Sequence, residues 1–305
     1  MSSQRFYVVG AGGQLGGHLL ATAGPRTVTP LTSADIDVSD IGSVRRALAA
    51  LSTGDVVVNA SAYTAVDAAE SDAAAAFAVN ADGPRHLAEV VRAAGARLIH
   101  VSTDYVYERP MLGPDGAWRP FEPDDPTGSP ATVYGAGKLA GERAAIAADP
   151  TTVVVRTAWV FTGGRDTEDF VSTMIGLERN RDTLRVVADQ TGSPTYARDL
   201  AVGLWELADA LERDAFRAGA IVHAVNAGDA TWHRLAQAVF TEIGADPHRV
   251  EPCTTQEFPR PAPRPAYSVL STRSWAEAGL TPLRTWRDAL HAALTARSAD
   301  DDVLR

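Results

Sequence analysis

A short strand-like run, Phe6–Val9, stops at Gly10, and Gly10, Gly13 and Gly16 then recur three residues apart before a helix-like stretch, His18–Ala23. A strand, a glycine turn and a helix in immediate succession leave few folds open. Glycine is needed where the backbone turns tightly, where amide N–H groups approach a diphosphate and where the helix packs closely on the strand. The helix N-terminus adds its dipole to anion binding. Alone, such a turn is a weak signal. Its place between an N-terminal strand and a helix predicts a dinucleotide-binding turn containing Gly10, Gly13 and Gly16.

The rest of the first half keeps that rhythm. Strand candidates are Thr27–Thr29, Val56–Asn59, Leu98–Ser102 and Val153–Arg156, with helical stretches such as Val44–Leu51 and Arg85–Ala94 between them. The unbroken apolar runs Val56–Val58 and Val153–Val155 suit strands covered on both faces, as parallel strands are. The alternation predicts an α/β fold, a doubly wound, Rossmann-like parallel sheet with a smaller α/β substrate-binding domain. The division expected is 1–160 for dinucleotide binding and 161–305 mainly for substrate, with segments near 196–226 returning to the first domain. Beyond Phe161, helices are expected at Phe170–Glu178, Asp199–Leu211, Trp232–Ile243 and Trp286–Ala296, and strands at Arg185–Ala188 and Ile221–Asn226. Pro259–Ser268 reads as extended chain, because proline blocks helix. Between Glu108 and Ala131 the rhythm breaks, with six of the 18 prolines there. A structureless connection of that length predicts an active-site flap.

Composition closes off other classes. With 38 acidic against 28 basic residues the formal charge is −10, which opposes nucleic-acid binding, since that needs a basic face. A few arginines still suffice for one small diphosphate. Neither an export signal nor a run of about 20 apolar residues is present, so no membrane association is expected and the cytoplasm is the default. Cys253 is the single cysteine, so no internal disulfide can form, and it reads as an inert thiol.

Tyr134-Gly135-Ala136-Gly137-Lys138 opens a helical segment running to Ala148. Positions i and i+4 share a helix face, about 5–6 Å apart at Cβ, which suits a tyrosine acid and a lysine that tunes it. A free phenol has a pKa of about 10, and a neighbouring ammonium lowers it. The strand ending at Ser102-Thr103 adds a hydroxyl where ligands gather in parallel sheets, outside the carboxyl ends of strands. Thr103 is read as a donor to a substrate carbonyl and His100 as a packed histidine. After the second strand, Leu31-Thr32-Ser33 offers no acid to hold a ribose 2′-hydroxyl, although Asp35 and Asp37 follow. That favours NADPH, with NADH allowed. Asp37-Val38 flank an adenine or else begin the next helix.

Together these residues resemble the dTDP-4-dehydrorhamnose reductase family, an extended branch of the short-chain reductases. The likeness runs through GAGGQLG, VNASAYTAVDAAES, AVNADGP, HVSTDYVY, VYGAGKLAGE, VVRTAWVF, VVADQTGSPT and PRPAPRPAYSVLST. It implies reduction of the 4-keto group of a dTDP-linked 6-deoxy sugar by NADPH or NADH. By position, the catalytic set is Thr103, Tyr134 and Lys138. The cofactor contacts implied are Gly13, Gln14, Leu15, Asp37, Val38, Ala62, Tyr63 and Thr64, beside Gly10 and Gly16 of the turn, with Tyr134 and Lys138. Thr103, Asp104 and Trp159 are implied as substrate contacts. Arg260 and Arg264 could clasp the diphosphate or simply be solvated.

His18 stands where some members of the family carry a glutamate associated with a metal-bound dimer, so the resemblance leaves Mg2+ and a homodimer open. A nucleotide-sugar dehydratase normally needs an acid after the Thr-Asp of this strand, where this chain has Tyr105. Two alternatives stay open: another nucleotide-deoxysugar 4-ketoreductase, and a non-catalytic NADP-binding partner like the regulatory subunit of methionine adenosyltransferase.

Overall fold

A computed structural model describes residues 4–164, 168–211 and 219–303, with side chains as far as Arg297. Six parallel strands form its central sheet: β1 (Arg5–Val9), β2 (Thr27–Leu31), β3 (Val56–Asn59), β4 (Arg97–Thr103), β5 (Val153–Thr157) and β6 (Ile221–His223). Their order is β6-β5-β4-β3-β1-β2. Strand order reverses between β1 and β3, so the crevice at their carboxyl ends is a topological switch point. Tyr7 lies opposite Thr29 on one side and Val57 on the other, which fixes the register there. Pro30 cannot donate to a ladder, and it stands on the edge strand β2.

The period-2 pleat sorts the valine runs onto two faces. Phe6, Val8, Val56, Val58, Val153 and Val155 share one buried cluster with Leu19 of α1 (Gln14–Ala21). Tyr7, Val9, Val57 and Leu98 share the opposite one. There they meet α2 (Ile41–Ala47), α3 (Gly83–Ala94) and Ala145 of α4 (Val133–Ala148). Burial on both faces explains why β3 and β5 read as continuous apolar runs rather than alternating ones.

A third cluster gathers Val171 and Ile175 of α5 (Phe170–Glu178) with Leu235, Val239 and Phe240 of α7 (Trp232–Glu242) and Leu290 of α8 (Trp286–Val303). They cover a short parallel pair, Leu184–Val187 with Val250–Cys253. Between α5 and α7 in sequence lies α6 (Ala197–Leu211), whose Leu200, Leu204 and Leu207 belong to the sheet's own cluster.

The segment 108–131 is not structureless, which corrects the expectation from its prolines. Met111–Leu112 pairs antiparallel with Trp118–Arg119. Asp125 grips Arg119 through two hydrogen bonds and accepts a third from the Glu122 amide. Phe121 is 1% exposed and stacks on Tyr107 at 4.1 Å. Its backbone exchanges hydrogen bonds with Val269 and Ser271. One buried aromatic supplies the burial that the prolines lack.

Candidate active site

A cavity of about 1060 Å3 opens at the carboxyl ends of the strands. Its floor near β1 is the glycine turn. Gly10 has φ +83°, and a Cβ there would lie 2.7 Å from the Ser61 amide nitrogen. A Cβ on Gly16 would come 2.2 Å from the Gly10 carbonyl, so α1 can approach β1 only through glycine. Gly13 is the N-cap of α1 and provides no side-chain cap. The first amides of that helix therefore face outward without intrahelical acceptors, which suits a diphosphate. Gly10, Gly13, Gln14 and Leu15 line the cavity, whereas Gly16 does not, because it is consumed in helix–strand packing.

Asp37, Val38, Ala62 and Thr64 also line it. Tyr63 does not, because Asn80 holds its backbone: the Tyr63 amide donates to Asn80 Oδ1 at 2.9 Å, and Asn80 Nδ2 donates to the Tyr63 carbonyl at 3.0 Å. The two acids after β2 are turned onto their own loops. Asp35 accepts from the amide and hydroxyl of Thr32, and Asp37 from those of Ser39. Each carboxylate is held below its usual range by those hydrogen bonds, the side-chain one first.

The tyrosine and lysine arrive on α4. Thr132 caps that helix by accepting from the Gly135 amide at 2.9 Å. Three glycines let it press against neighbouring backbone: a Cβ on Gly135 would lie 2.3 Å from the Tyr105 carbonyl, and one on Gly141 2.0 Å from that of Asn80. A Cβ on Gly137 would touch the Asn80 side chain at 3.4 Å. As a result Lys138 is 2% exposed, and its Nζ donates to the Val101 carbonyl of β4 at 2.7 Å. Tyr134 is set near the Thr103 hydroxyl, and its ring meets Tyr105 edge-on at 5.5 Å. Thr103, Asp104, Tyr134, Lys138 and Trp159 all line the cavity that the glycine turn floors.

Burial governs the electrostatics. It pushes the Tyr134 phenol up to about 12, with Thr103 opposing, which corrects the expectation that a neighbouring ammonium lowers it. Desolvation outweighs any such attraction in the chain by itself. Burial likewise lowers Lys138 to about 8, against the pull of Glu142, and raises the Asp104 carboxyl to about 6. Among the described residues, three buried polar atoms on the cavity wall have no partner: Ser102 Oγ, Thr157 Oγ1 and Asp104 Oδ2. Buried polar groups are ordinarily paired, so this trio marks where polar ligand atoms fit.

Trp159 has φ +45°, the non-glycine residue with positive φ among those described. Its indole stacks on Trp232 at 3.5 Å between centroids, and a Cβ on Gly192 would come 2.3 Å from it. Trp232 lines the same cavity and escaped sequence reasoning, since no local pattern links it to Trp159. The glycines of YGAGKLAGE were the legible sign that α4 lies close to backbone. Arg260 and Arg264 are not free: both pair with Asp67, at 3.8 and 3.0 Å. His100 is packed, its Nδ1 at 3.1 Å from Asn59 Nδ2. No residue of 108–131 lines the cavity. Among the described residues, no group of three or more His, Cys, Asp or Glu is placed to hold a metal ion, and no helix is long and apolar enough to cross a membrane.

Residues 4–298 match the family described as RmlD substrate binding domain. The dTDP-4-dehydrorhamnose reductase of Mycobacterium tuberculosis is 52% identical over 99% of this chain and 96% of its own length. A dTDP-4-dehydrorhamnose reductase structure from Clostridium acetobutylicum superposes with a TM-score of 0.86 at 33% identity, covering 96% of this chain and 99% of that one. The Bacillus anthracis enzyme, solved in complex with NADP, gives 0.85 at 29% identity, covering 97% and 100%. With a glycine-floored crevice, a tyrosine–lysine helix and this likeness along its whole length, the chain belongs to the dTDP-4-dehydrorhamnose reductase family.

Proposed function

We propose that the protein reduces the 4-keto group of dTDP-4-dehydro-6-deoxy-L-mannose to give dTDP-L-rhamnose, with NADPH as reductant and NADH tolerated. The observation that carries this reading is that Thr103, Tyr134 and Lys138 line one cavity with the glycine turn, Lys138 anchored to the strand that ends in Thr103.

The residues present fit a dinucleotide. The open amides of α1 would take its diphosphate, and the orphaned Ser102 and Thr157 hydroxyls offer polar partners further in. Thr32 and Ser33 line the cavity; Asp35 is turned onto Thr32, and Asp37, though it lines the cavity, has its carboxylate engaged by Ser39, so the hydroxyls of Thr32 and Ser33 are what a 2′-phosphate would meet. When bound, the nicotinamide supplies a hydride to the carbonyl carbon. Thr103 would hold the carbonyl oxygen by a hydrogen bond, polarising the C=O bond. Tyr134, a phenol that stays protonated at neutral pH, would give its proton to the alkoxide oxygen. Lys138, titrating near 8, would hold a positive charge beneath that transfer and favour the phenolate left behind. Asp104 and Trp159 would meet the sugar. In this reading residues 1–160, joined by 196–226, bind the dinucleotide, and 161–305 mainly shape the sugar pocket.

The test mixes the protein with NADPH and dTDP-4-keto-L-rhamnose and follows loss of NADPH absorbance. Tyr134→Phe should lower kcat by about 100-fold or more, the scale of a general-acid contribution, with NADPH affinity nearly unchanged. No oxidation by the unaltered protein, or full turnover by the variant, would end the proposal.

A further inference from the structure

Asp67 follows Val66, which lines the cavity wall, and its carboxylate gathers two ion pairs and one amide from one distant segment. Arg264 Nη2 lies 3.0 Å from Asp67 Oδ1 and Arg260 Nη1 3.8 Å from Oδ2. The Ala262 amide donates to Oδ1 at 3.2 Å. The segment's other end is held by backbone hydrogen bonds, the Thr191 amide donating to the Ala266 carbonyl and the Ser268 amide to the Thr191 carbonyl, with Ser268 near the Asp104 carboxyl of the cavity wall. Arg264 is thus strung beside the cavity and is largely covered, its side chain 19% exposed. Burial raises the phenol of Tyr105, another wall residue; Arg264 opposes that rise and Asp67 adds to it.

Two guanidinium groups share one carboxylate, which leaves one positive charge in excess. A carboxylate presents two oxygens to a guanidinium fork, as a phosphate does. Resting on the proposed nucleotide-sugar reaction, we propose that Asp67 is a placeholder for the substrate's diphosphate. Without substrate it keeps Arg264 and Arg260 assembled and spares them an unpaired state. On binding, the diphosphate takes Arg264, and Arg260 with it, from Asp67. The Ala262 amide stays on Asp67 and keeps the segment in place. Substrate affinity is then set by a competition between an internal carboxylate and an incoming dianion.

The placeholder predicts opposite signs for two neutralising substitutions, which a merely structural clasp would not. Asp67→Asn keeps an oxygen for the Ala262 amide but releases the arginines, so it should tighten dTDP binding several-fold. Arg264→Gln should weaken it by roughly tenfold or more, the scale of one charge-assisted hydrogen bond. Thymidine, which lacks the diphosphate, should bind all three proteins alike. The measurement is calorimetric titration of the NADP-loaded protein with dTDP and with thymidine, after thermal melts show each variant folded. Weaker dTDP binding by Asp67→Asn, or equal changes for thymidine and dTDP, would overturn the proposal while leaving the reductase reading standing. If Asp67→Asn does not fold, Asp67→Glu replaces it. Its longer arm should disturb the ion pair and shift dTDP affinity with thymidine affinity unchanged, and no difference between the two ligands overturns the proposal. Failure of the unaltered protein to bind dTDP at all would overturn the reductase reading and this proposal with it.

Discussion

At the end of β4, Asp104 is 2% exposed, and burial raises its carboxyl from 3.8 to about 6 against the nearby Ser268 and Thr103 hydroxyls, of which Thr103 donates to Oδ1 at 3.0 Å. The sign of its effect on stability is opposite to that of a salt-bridged acid. Below about 4 the carboxyl is neutral in both states; between about 4 and 6 the unfolded chain releases a proton that the folded chain keeps. The folded state then binds more protons, so stability falls as pH rises through that window. Asp104→Asn should remove a loss on the order of 2 kcal/mol between those pH values, read from urea transitions at each end. An unchanged slope would show that the carboxyl is not desolvated as described. Trp159 shows a second kind of local tension: a bulky residue in a region that favours glycine, kept there by its stack on Trp232.

Helix α4 is positioned more by what it lacks than by its apolar face. In a free helix Gly→Ala gains about 1 kcal/mol. At Gly141 a Cβ would sit 2.0 Å from the Asn80 carbonyl, which is backbone and cannot swing aside. Gly141→Ala is therefore expected to destabilise by about 2 kcal/mol or more, as overpacking does, and to lower kcat by moving Tyr134 and Lys138. Urea unfolding and steady-state kinetics would measure both, and a more stable, fully active variant would refute the close approach. The helix is also tied to β5. Arg156 binds Glu142 through two hydrogen bonds of 2.9 and 2.7 Å, both side chains 2% exposed. The same guanidinium reaches the Tyr107 hydroxyl at 2.7 Å and the Pro123 carbonyl at 3.0 Å. Strand β5, helix α4 and the proline-rich segment thus meet on the buried Arg156, whose partners must all be present because an unpaired buried ion is costly.

Over the whole molecule, the sheet is completed from late sequence. β6 pairs with β5, and Leu200, Leu204, Trp205 and Leu207 of α6 cover the face where Phe6 and Val8 lie. The Trp205 indole meets Phe6 edge-on at 5.4 Å and donates to the Leu19 carbonyl of α1 at 3.0 Å. A fragment ending at Val160 would leave that face of the sheet open to water. It should show no cooperative urea transition and no fixed near-ultraviolet dichroism, whereas the full chain should show both. A fragment with a sharp transition would mean that the first five strands carry a core of their own.

Much of this was legible before any coordinates. Valine runs reveal burial on both faces, because a strand covered twice has no polar positions. Glycines at spacing three reveal a turn and a close helix, because a Cβ at Gly10 or Gly16 would collide with backbone. The Tyr134–Lys138 spacing places both on one helical face, because 3.6 residues make a turn. Tertiary structure alone decided the rest. The direction of the Tyr134 shift depends on how much protein surrounds the phenol, and Tyr63 lies outside the cavity lining, its backbone held by Asn80. Segment 108–131 is ordered by Phe121 docking against Tyr107. Asp67, Arg264 and Trp232 find their partners far along the chain, and no local rule of spacing reaches that far.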